Sequence, residues 1–167
     1  MLRLYVRNKW ISLRGGSYVL DENEKNYLYV KGKFWTMTHK KFVQDLQGNT
    51  LYTVRNKFWS FLTQYAMIYD DKGQEIARLR KKIFSLHDHY DIKTTYGLMS
   101  LRGNILGFDY HISLDGEEIG HVGRKISLRD SFFLDIDETK INPAFVVALV
   151  IALDNMADER AEAAAVS

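Results

Sequence analysis

Basic side chains recur at regular intervals along this chain and are the residues best suited to bind a ligand. An Arg or Lys opens short segments of similar sequence, such as Lys31–Met37 and Arg55–Phe61. The segments begin at residues 7, 31, 55, 80, 102 and 124, at steps of 24, 24, 25, 22 and 22. A fixed period indicates a repeated structural unit, so these groups predict a positive zone that could hold a phosphate headgroup or lie on an anionic surface. The alternative is that these long basic side chains are simply solvated where strands bend and bind no ligand. The predicted zone comprises Arg7, Lys9, Lys31, Lys33, Arg55, Lys57, Arg80, Lys81, Lys82, Arg124 and Lys125.

The densest group of potential metal ligands is His87, Asp88 and His89. Two histidines two residues apart on a strand share one face, so two ligands could converge. A third ligand would have to come from a distant histidine, namely His39, His111 or His121. Satisfied or exposed histidines are the simpler interpretation. We therefore predict neither a metal site nor a cofactor.

Enzyme signatures are absent from the chain. It contains no Gly-x-Ser-x-Gly elbow, no Gly-x-Gly-x-x-Gly turn and no Walker loop. We predict a non-enzymatic binding module, with an enzyme of unknown reaction as a remaining alternative. A module for nucleic acid or a protein partner is another alternative, since basic strands with Tyr and Trp can stack bases. The residues before Asp154 carry 22 basic and 17 acidic groups, which is a weak excess for nucleic-acid binding.

A second marker keeps phase with the basic positions and organises the fold. Polar turn sequences begin at Asp21, Asp45, Asp70, Thr94 and Asp115. Between them, apolar and polar residues alternate as in half-buried strands. A period of about 24 residues holds two strands and two turns, so six units predict about 12 strands. Closing that many strands into a barrel removes exposed edges, and the predicted fold is a β-dominated, closed antiparallel barrel.

One apolar helix is predicted near the C-terminus. Asn142 suits an N-cap and Pro143 suits the first helical position. Ala144–Leu153 contains no polar residue, and a helix that is apolar on every side must be enclosed. Ten residues are too few to cross a bilayer, which needs about 20. We predict a single domain of residues 1–156, with a central helix at 143–155 threaded through the barrel, and a flexible polar tail at 157–167.

Cysteine is absent, which excludes disulfides and thiol chemistry and is compatible with the cytosol. The stretch Leu2–Trp10 interleaves basic and apolar residues and lacks the apolar run of a signal peptide. We expect a cytoplasmic protein that could associate peripherally with membranes and does not span them.

The basic repeat of the Arg55–Phe61 type and the apolar helix at Asn142–Asp154 resemble the tubby-like superfamily, and within it the LURP-one-related family. The resemblance extends from about Leu2 to Asn155. It implies a 12-stranded barrel around a central helix. It also implies kinship with tubby proteins, which bind phosphoinositides, and with phospholipid scramblases. Anionic phospholipid or phosphoinositide headgroups are therefore the expected ligands.

Scramblases carry an acidic calcium-binding segment just before their terminal helix. In this chain Asp130, Asp135, Asp137 and Glu138 fall in that place. Asp135 and Asp137 alternate along a predicted strand instead of lying in a glycine-containing loop, so the match to a calcium site is poor.

Overall fold

A computed structural model describes residues 1–7, 16–32, 40–60, 63–80, 89–105, 107–124 and 131–165. Within these ranges the chain forms twelve strands and one helix, in the order β1 (Leu2–Arg7), β2 (Gly16–Asp21), β3 (Asn26–Gly32), β4 (Lys41–Gln44), β5 (Thr50–Ser60), β6 (Thr63–Tyr69), β7 (Glu75–Arg80), β8 (His89–Thr94), β9 (Gly97–Asn104), β10 (Asp109–Leu114), β11 (Glu117–Arg124), β12 (Ser131–Ile136) and α1 (Pro143–Ala165).

The strands close into a barrel. Each strand pairs antiparallel with the next, and β1 pairs with β12. Across this seam Arg3 donates two hydrogen bonds to Asp135, from Nε to Oδ1 and from an Nη to Oδ2, both at 2.6 Å. The predicted closed barrel of about 12 strands is confirmed.

Alternating side chains give the barrel an apolar interior. In β12, for example, Phe132, Leu134 and Ile136 are each no more than 1% exposed. The intervening Phe133 and Asp135 are only half-buried. Alternation of this kind directs one side of each strand to the core and the other to solvent.

The aspartates that mark the repeat build its turns. In the turns beginning at Asp21, Asp45 and Asp70, one carboxylate oxygen accepts the backbone N–H groups two and four residues later. For Asp45 the donors are Gln47 N at 3.0 Å and Asn49 N at 2.8 Å. Short polar side chains suit such turns because they replace backbone acceptors. The phase of these residues therefore reflects one hairpin design used three times.

Helix α1 occupies the interior of the barrel. Every residue from Ala144 to Met156 is buried, including the consecutive Val147, Ala148, Leu149 and Val150, which together cover all sides of a helix. Because the helix is enclosed on every side, each buried side chain larger than alanine contributes about 1.5–3 kcal/mol of apolar burial. The helix is thus a main part of the core.

The helix begins where the sequence predicts and ends later. The side chain of Asn142 caps it, accepting the Ala144 N–H at 2.9 Å. The helix ends at Ala165 instead of residue 155. The added turns are rich in Ala, Glu and Arg, which favour helix without any apolar run. Flexibility of 157–167 stays a prediction.

Candidate functional site

Most of the predicted basic residues within the described ranges lie where odd-numbered strands end. Arg7, Arg80 and Arg124 are the last residues of β1, β7 and β11, and Lys31 is the penultimate residue of β3. Odd strands all run in one direction in an antiparallel barrel, so these ends lie at the same end of the molecule. We call this the basic end, and define it by Arg7, Lys31, Arg55, Lys57, Arg80 and Arg124.

The strand register brings three of these residues to a common height. Lys31 pairs with Phe42 on β4, and Phe42 pairs with Thr53 on β5, which lies two residues before Arg55. In the same way Arg55 pairs with Met67 on β6, and Met67 pairs with Arg78 on β7, which lies two residues before Arg80. Each of these two steps, from β3 to β5 and from β5 to β7, therefore shifts by two residues, about 6.6 Å, over two strand spacings, about 9.6 Å.

That shift corresponds to a strand tilt of about 35°, which lies at the lower edge of the usual range for closed barrels. With strands tilted by this angle, residues that are displaced by two positions for every two strands lie at the same height along the barrel axis. Lys31, Arg55 and Arg80 therefore lie at one height along an arc of the wall, from β3 to β7.

Side chains at the basic end reach the outer surface. Lys31, Arg80 and Arg124 are exposed, and Arg55 is partly buried. The Arg80 guanidinium lies 5.7 Å from the centroid of the Tyr65 ring. Within the described ranges, Lys31, Arg80 and Arg124 form no salt bridge with a carboxylate. Their charges are therefore not neutralised by described acidic groups in direct contact.

The other predicted members of the basic zone cannot be placed in the same way. Of Arg7 and Lys57 the structure describes the backbone position alone. Five residues lie outside the described ranges, namely Lys9, Lys33, Lys81, Lys82 and Lys125.

The opposite end of the barrel is acidic. It is formed by the turns that follow even-numbered strands, and we call it the acidic end. Its acidic turn residues are Asp21, Glu22, Glu24, Asp45, Asp70, Asp71, Asp115, Asp137 and Glu138. Its basic turn residues are Lys25, Lys72 and Lys140. Helix α1 starts at the acidic end, where the positive end of its dipole meets negative charge.

Polar residues are also buried inside the barrel wall, which the sequence did not predict. Lys41 is 6% exposed, Asn56 2%, Asp154 7% and Asn155 7%. Lys41 opens β4 at the basic end, and Asp154 lies in the part of α1 that runs toward that end. Burial, together with the charge of Asp154, raises the pKa of the Tyr110 phenol. In the sequence, Asp154 simply follows the apolar run of the helix, and nothing in that pattern indicates that its carboxylate is buried.

The three described histidines, His89, His111 and His121, contact partners in their own or neighbouring strands, and His39 lies outside the described ranges. His89 lies 3.0 Å from Asp91, while His87 and Asp88 lie outside the described ranges. His111 and His121 stack with ring centroids 4.6 Å apart. Each of these two rings also meets a carboxylate, at 3.2 Å and 3.1 Å. In the described part of the chain, no three His, Asp or Glu side chains converge as a metal site would require.

Two of the acidic residues before α1, Asp135 and Asp137, are occupied by other interactions. Asp135 pairs with Arg3 across the seam. Asp137 accepts a hydrogen bond from the Thr139 hydroxyl at 2.6 Å and lies 3.5 Å from Lys140 Nζ. The hydrogen bond from Thr139 is the main cause of a lowered pKa for Asp137. These two carboxylates are therefore built into the scaffold, and Asp130 lies outside the described ranges.

A cavity of about 460 Å³ at the acidic end is a feature that sequence reasoning missed. It is lined by Leu51, Tyr52, Asp70, Asp71, Gln74, Ile76, Thr95, Tyr96 and Asn142. The hydroxyls of Tyr52 and Tyr96 lie 3.0 Å apart although the residues are 44 positions apart. From the sequence, a tyrosine on a strand is ordinarily interpreted as a core residue. Only the pairing of the two hydroxyls in the structure reveals this site.

Comparison with known proteins agrees with the barrel and the central helix. The model of the family described as LURP-one-related matches residues 2–154. The chain belongs to the LURP-one-related family. The barrel resembles that of tubby-like domains, which are a binding type of module.

A solved relative and two further findings complete the comparison. An Arabidopsis thaliana protein known from an X-ray structure is similar in fold, with a TM-score of 0.53 and 13% identity. The match covers 93% of this chain and 90% of that one. No protein with a curated description matches the chain significantly. In the part of the chain that the structure describes, no helix is both long and apolar enough to cross a membrane.

Proposed function

We propose that this LURP-one-related protein is a non-enzymatic module that binds anionic phospholipid headgroups, phosphoinositides among them, through its basic end. The observation that carries the proposal is the arc formed by Lys31, Arg55 and Arg80 at one height on the outer wall, from β3 to β7. Cations at one height on one side of a barrel can meet an anionic surface with several side chains at once.

Charge distribution supports this orientation. Acidic turns occupy the opposite end, so an anionic surface attracts one end of the molecule and repels the other. Each basic group close to an anionic bilayer contributes about 1 kcal/mol, and the attraction decays over a Debye length of about 8 Å at physiological salt. Lys31, Arg80 and Arg124 are exposed and suited to such contact.

The binding we propose is peripheral and needs no inserted helix. Residues of α1 from Ala144 to Met156 are buried in the barrel, so their apolar side chains are not available to lipid. Association should therefore depend on charge and fall with added salt. A cytoplasmic protein that visits the inner membrane surface fits this mode of binding.

The test compares two charge reversals of equal size at opposite ends of the barrel. We expect Lys31→Glu with Arg80→Glu to weaken binding to phosphatidylserine vesicles at least about 30-fold, because two favourable contributions of about 1 kcal/mol are lost. The matched control, Lys25→Glu with Lys72→Glu, changes the net charge equally at the acidic end and should bind nearly as the parent does. Sedimentation with vesicles, with and without a phosphoinositide, measures the effect.

Two results would overturn the proposal. One is equal loss of binding in both double variants, which would indicate a response to net charge alone. The other is a parent protein that ignores anionic vesicles at low salt. Binding to single-stranded oligonucleotides in place of vesicles would favour the nucleic-acid alternative.

A further inference from the structure

The cavity at the acidic end lies between strand β5, two strand connections and the start of α1. Tyr52 lies on β5, Asp70 and Asp71 follow β6, and Tyr96 lies in the turn after β8. Asn142, the cap of α1, lines another side, and the cavity is open to solvent. A volume of about 460 Å³ lies within the usual range of small-molecule sites.

Aromatic rings fix one wall of this cavity. The Tyr96 ring lies 4.8 Å from the ring of the buried Phe145, and the Tyr52 ring lies 5.8 Å from it. The two tyrosine hydroxyls are hydrogen-bonded at 3.0 Å. Packing against α1 and the mutual hydrogen bond together hold both rings in place, so the aromatic wall is formed before any ligand arrives.

Carboxylates make the cavity electronegative. Asp70 and Asp71 both line it. Their charges contribute to a raised pKa of the Tyr52 phenol, after burial and the hydrogen bond that it shares with Tyr96. Oδ1 of Asp70 already accepts two turn amides, at 3.0 and 2.7 Å. Within the described residues, neither Asp70 nor Asp71 takes part in a salt bridge.

The helix start offers nothing to an anion here. Pro143 has no N–H, and the Ala144 N–H is taken by the Asn142 side chain. The N–H groups of Phe145 and Val146 both donate to the Asn142 carbonyl, at 3.0 and 3.3 Å. The backbone amides at the helix start are therefore already occupied, and the two carboxylates that line the cavity would repel a negatively charged ligand.

We infer that this cavity binds an organic cation, an alkylammonium or guanidinium group on a flexible stem. Tyr96, which is 40% exposed, supplies aromatic surface for the stem and for cation–π attraction, and Asp70 and Asp71 supply the opposite charge. Tyr52, which is 6% exposed, supports Tyr96 through the hydrogen bond between their hydroxyls. Such a group could come from a free amine or from a Lys side chain of a partner protein. The site lies at the end of the barrel opposite to the basic end, so it does not depend on the proposed lipid binding.

The test is an NMR titration of the full chain with three probes of similar size, n-butylammonium, 1-butanol and butyrate. We expect n-butylammonium to shift the amide signals of Gln74, Thr95 and Tyr96 in a saturable manner. Signals at Lys31 and Arg80 should not move. The neutral and anionic probes should cause no comparable shift.

Two variants and a matched control locate the site. Asp71→Asn and Tyr96→Leu should each weaken binding of n-butylammonium at least about fivefold, since each removes one attractive element. Glu22→Gln, which removes the same charge from another exposed turn of the acidic end, should change it less than about twofold. Melting temperatures of all three should show that each variant is folded.

A further probe, a capped lysine amide, distinguishes the two possible sources of the cation. A capped lysine amide that binds more tightly than n-butylammonium would assign the site to a partner's side chain, whereas equal or weaker binding would assign it to free amines. Equal binding of 1-butanol, preferential binding of butyrate, or no shift at high millimolar n-butylammonium would overturn the inference. An equal loss in Asp71→Asn and Glu22→Gln would do the same.

Discussion

Individual carboxylates in this barrel are stabilised in their charged form by local hydrogen bonds. The pKa of Asp45 is lowered chiefly by the side-chain amide of Asn49, which donates at 2.7 Å, with help from turn amides. The pKa of Asp91 is lowered chiefly by the Ser100 hydroxyl, at 2.6 Å. Hydrogen bonds to the ionised form disfavour protonation. The turns therefore depend on charged aspartates.

Acid should consequently weaken the fold. A carboxyl whose pKa is lower when folded than its unfolded value of about 3.9 stabilises fully above that value. The stabilisation is lost as the pH falls through the lower, folded pKa. We expect the melting temperature to drop as the pH is lowered below about 4. The drop should be smaller in Asp45→Asn, which retains an acceptor oxygen in its turn but cannot titrate. Thermal melts from pH 2 to 6 test this, and identical profiles for both proteins would contradict it.

At the scale of elements, the strands and turns could be predicted from the sequence because the repeated unit carries two independent markers, a basic residue and a turn aspartate. Asp21 and Asp45 recur because one turn design needs a side-chain acceptor at that place. Lys31 and Arg55 recur at equivalent positions of their repeats, and the register from β3 to β5 keeps the two at one height. The cavity beside Tyr96 could not be predicted, since it depends on a side-chain pairing between distant strands. The late end of α1 was missed because the interpretation followed apolar residues, while the last turns rest on helix propensity.

The central helix should be essential to folding. Val147 lies at 0% exposure within α1, so Val147→Asp places a carboxylate in the core and costs several kcal/mol. We expect loss of cooperative unfolding or aggregation. The matched variant Val147→Ala removes volume alone and should remain folded, less stable by about 2 kcal/mol. Denaturant unfolding followed by circular dichroism measures both. A cooperative transition of normal stability in Val147→Asp would contradict the placement of the helix.

The whole molecule is a barrel with chemically different ends. Basic groups lie where odd strands finish, and acidic groups lie in the turns after even strands. The buried α1 joins the two ends, beginning at the acidic one. This polarity follows from the repeat, because most units contribute one basic position and one acidic turn; the turn after β8, at Thr95 and Tyr96, carries no acidic residue. It gives the proposed membrane contact and the proposed cation site separate locations.

Which end meets the membrane is the most direct question for this account. NMR spectra of the protein on anionic vesicles, with a gadolinium chelate attached to a fraction of the lipid headgroups, would answer it. The account predicts selective broadening of the amide signals of Lys31, Gly32, Arg80 and Arg124. Signals from the turns at 45–49 and 70–74 should stay sharp, because they lie at the far end of the barrel. Broadening that is strongest at those turns, or uniform over both ends, would contradict a membrane contact through the basic end.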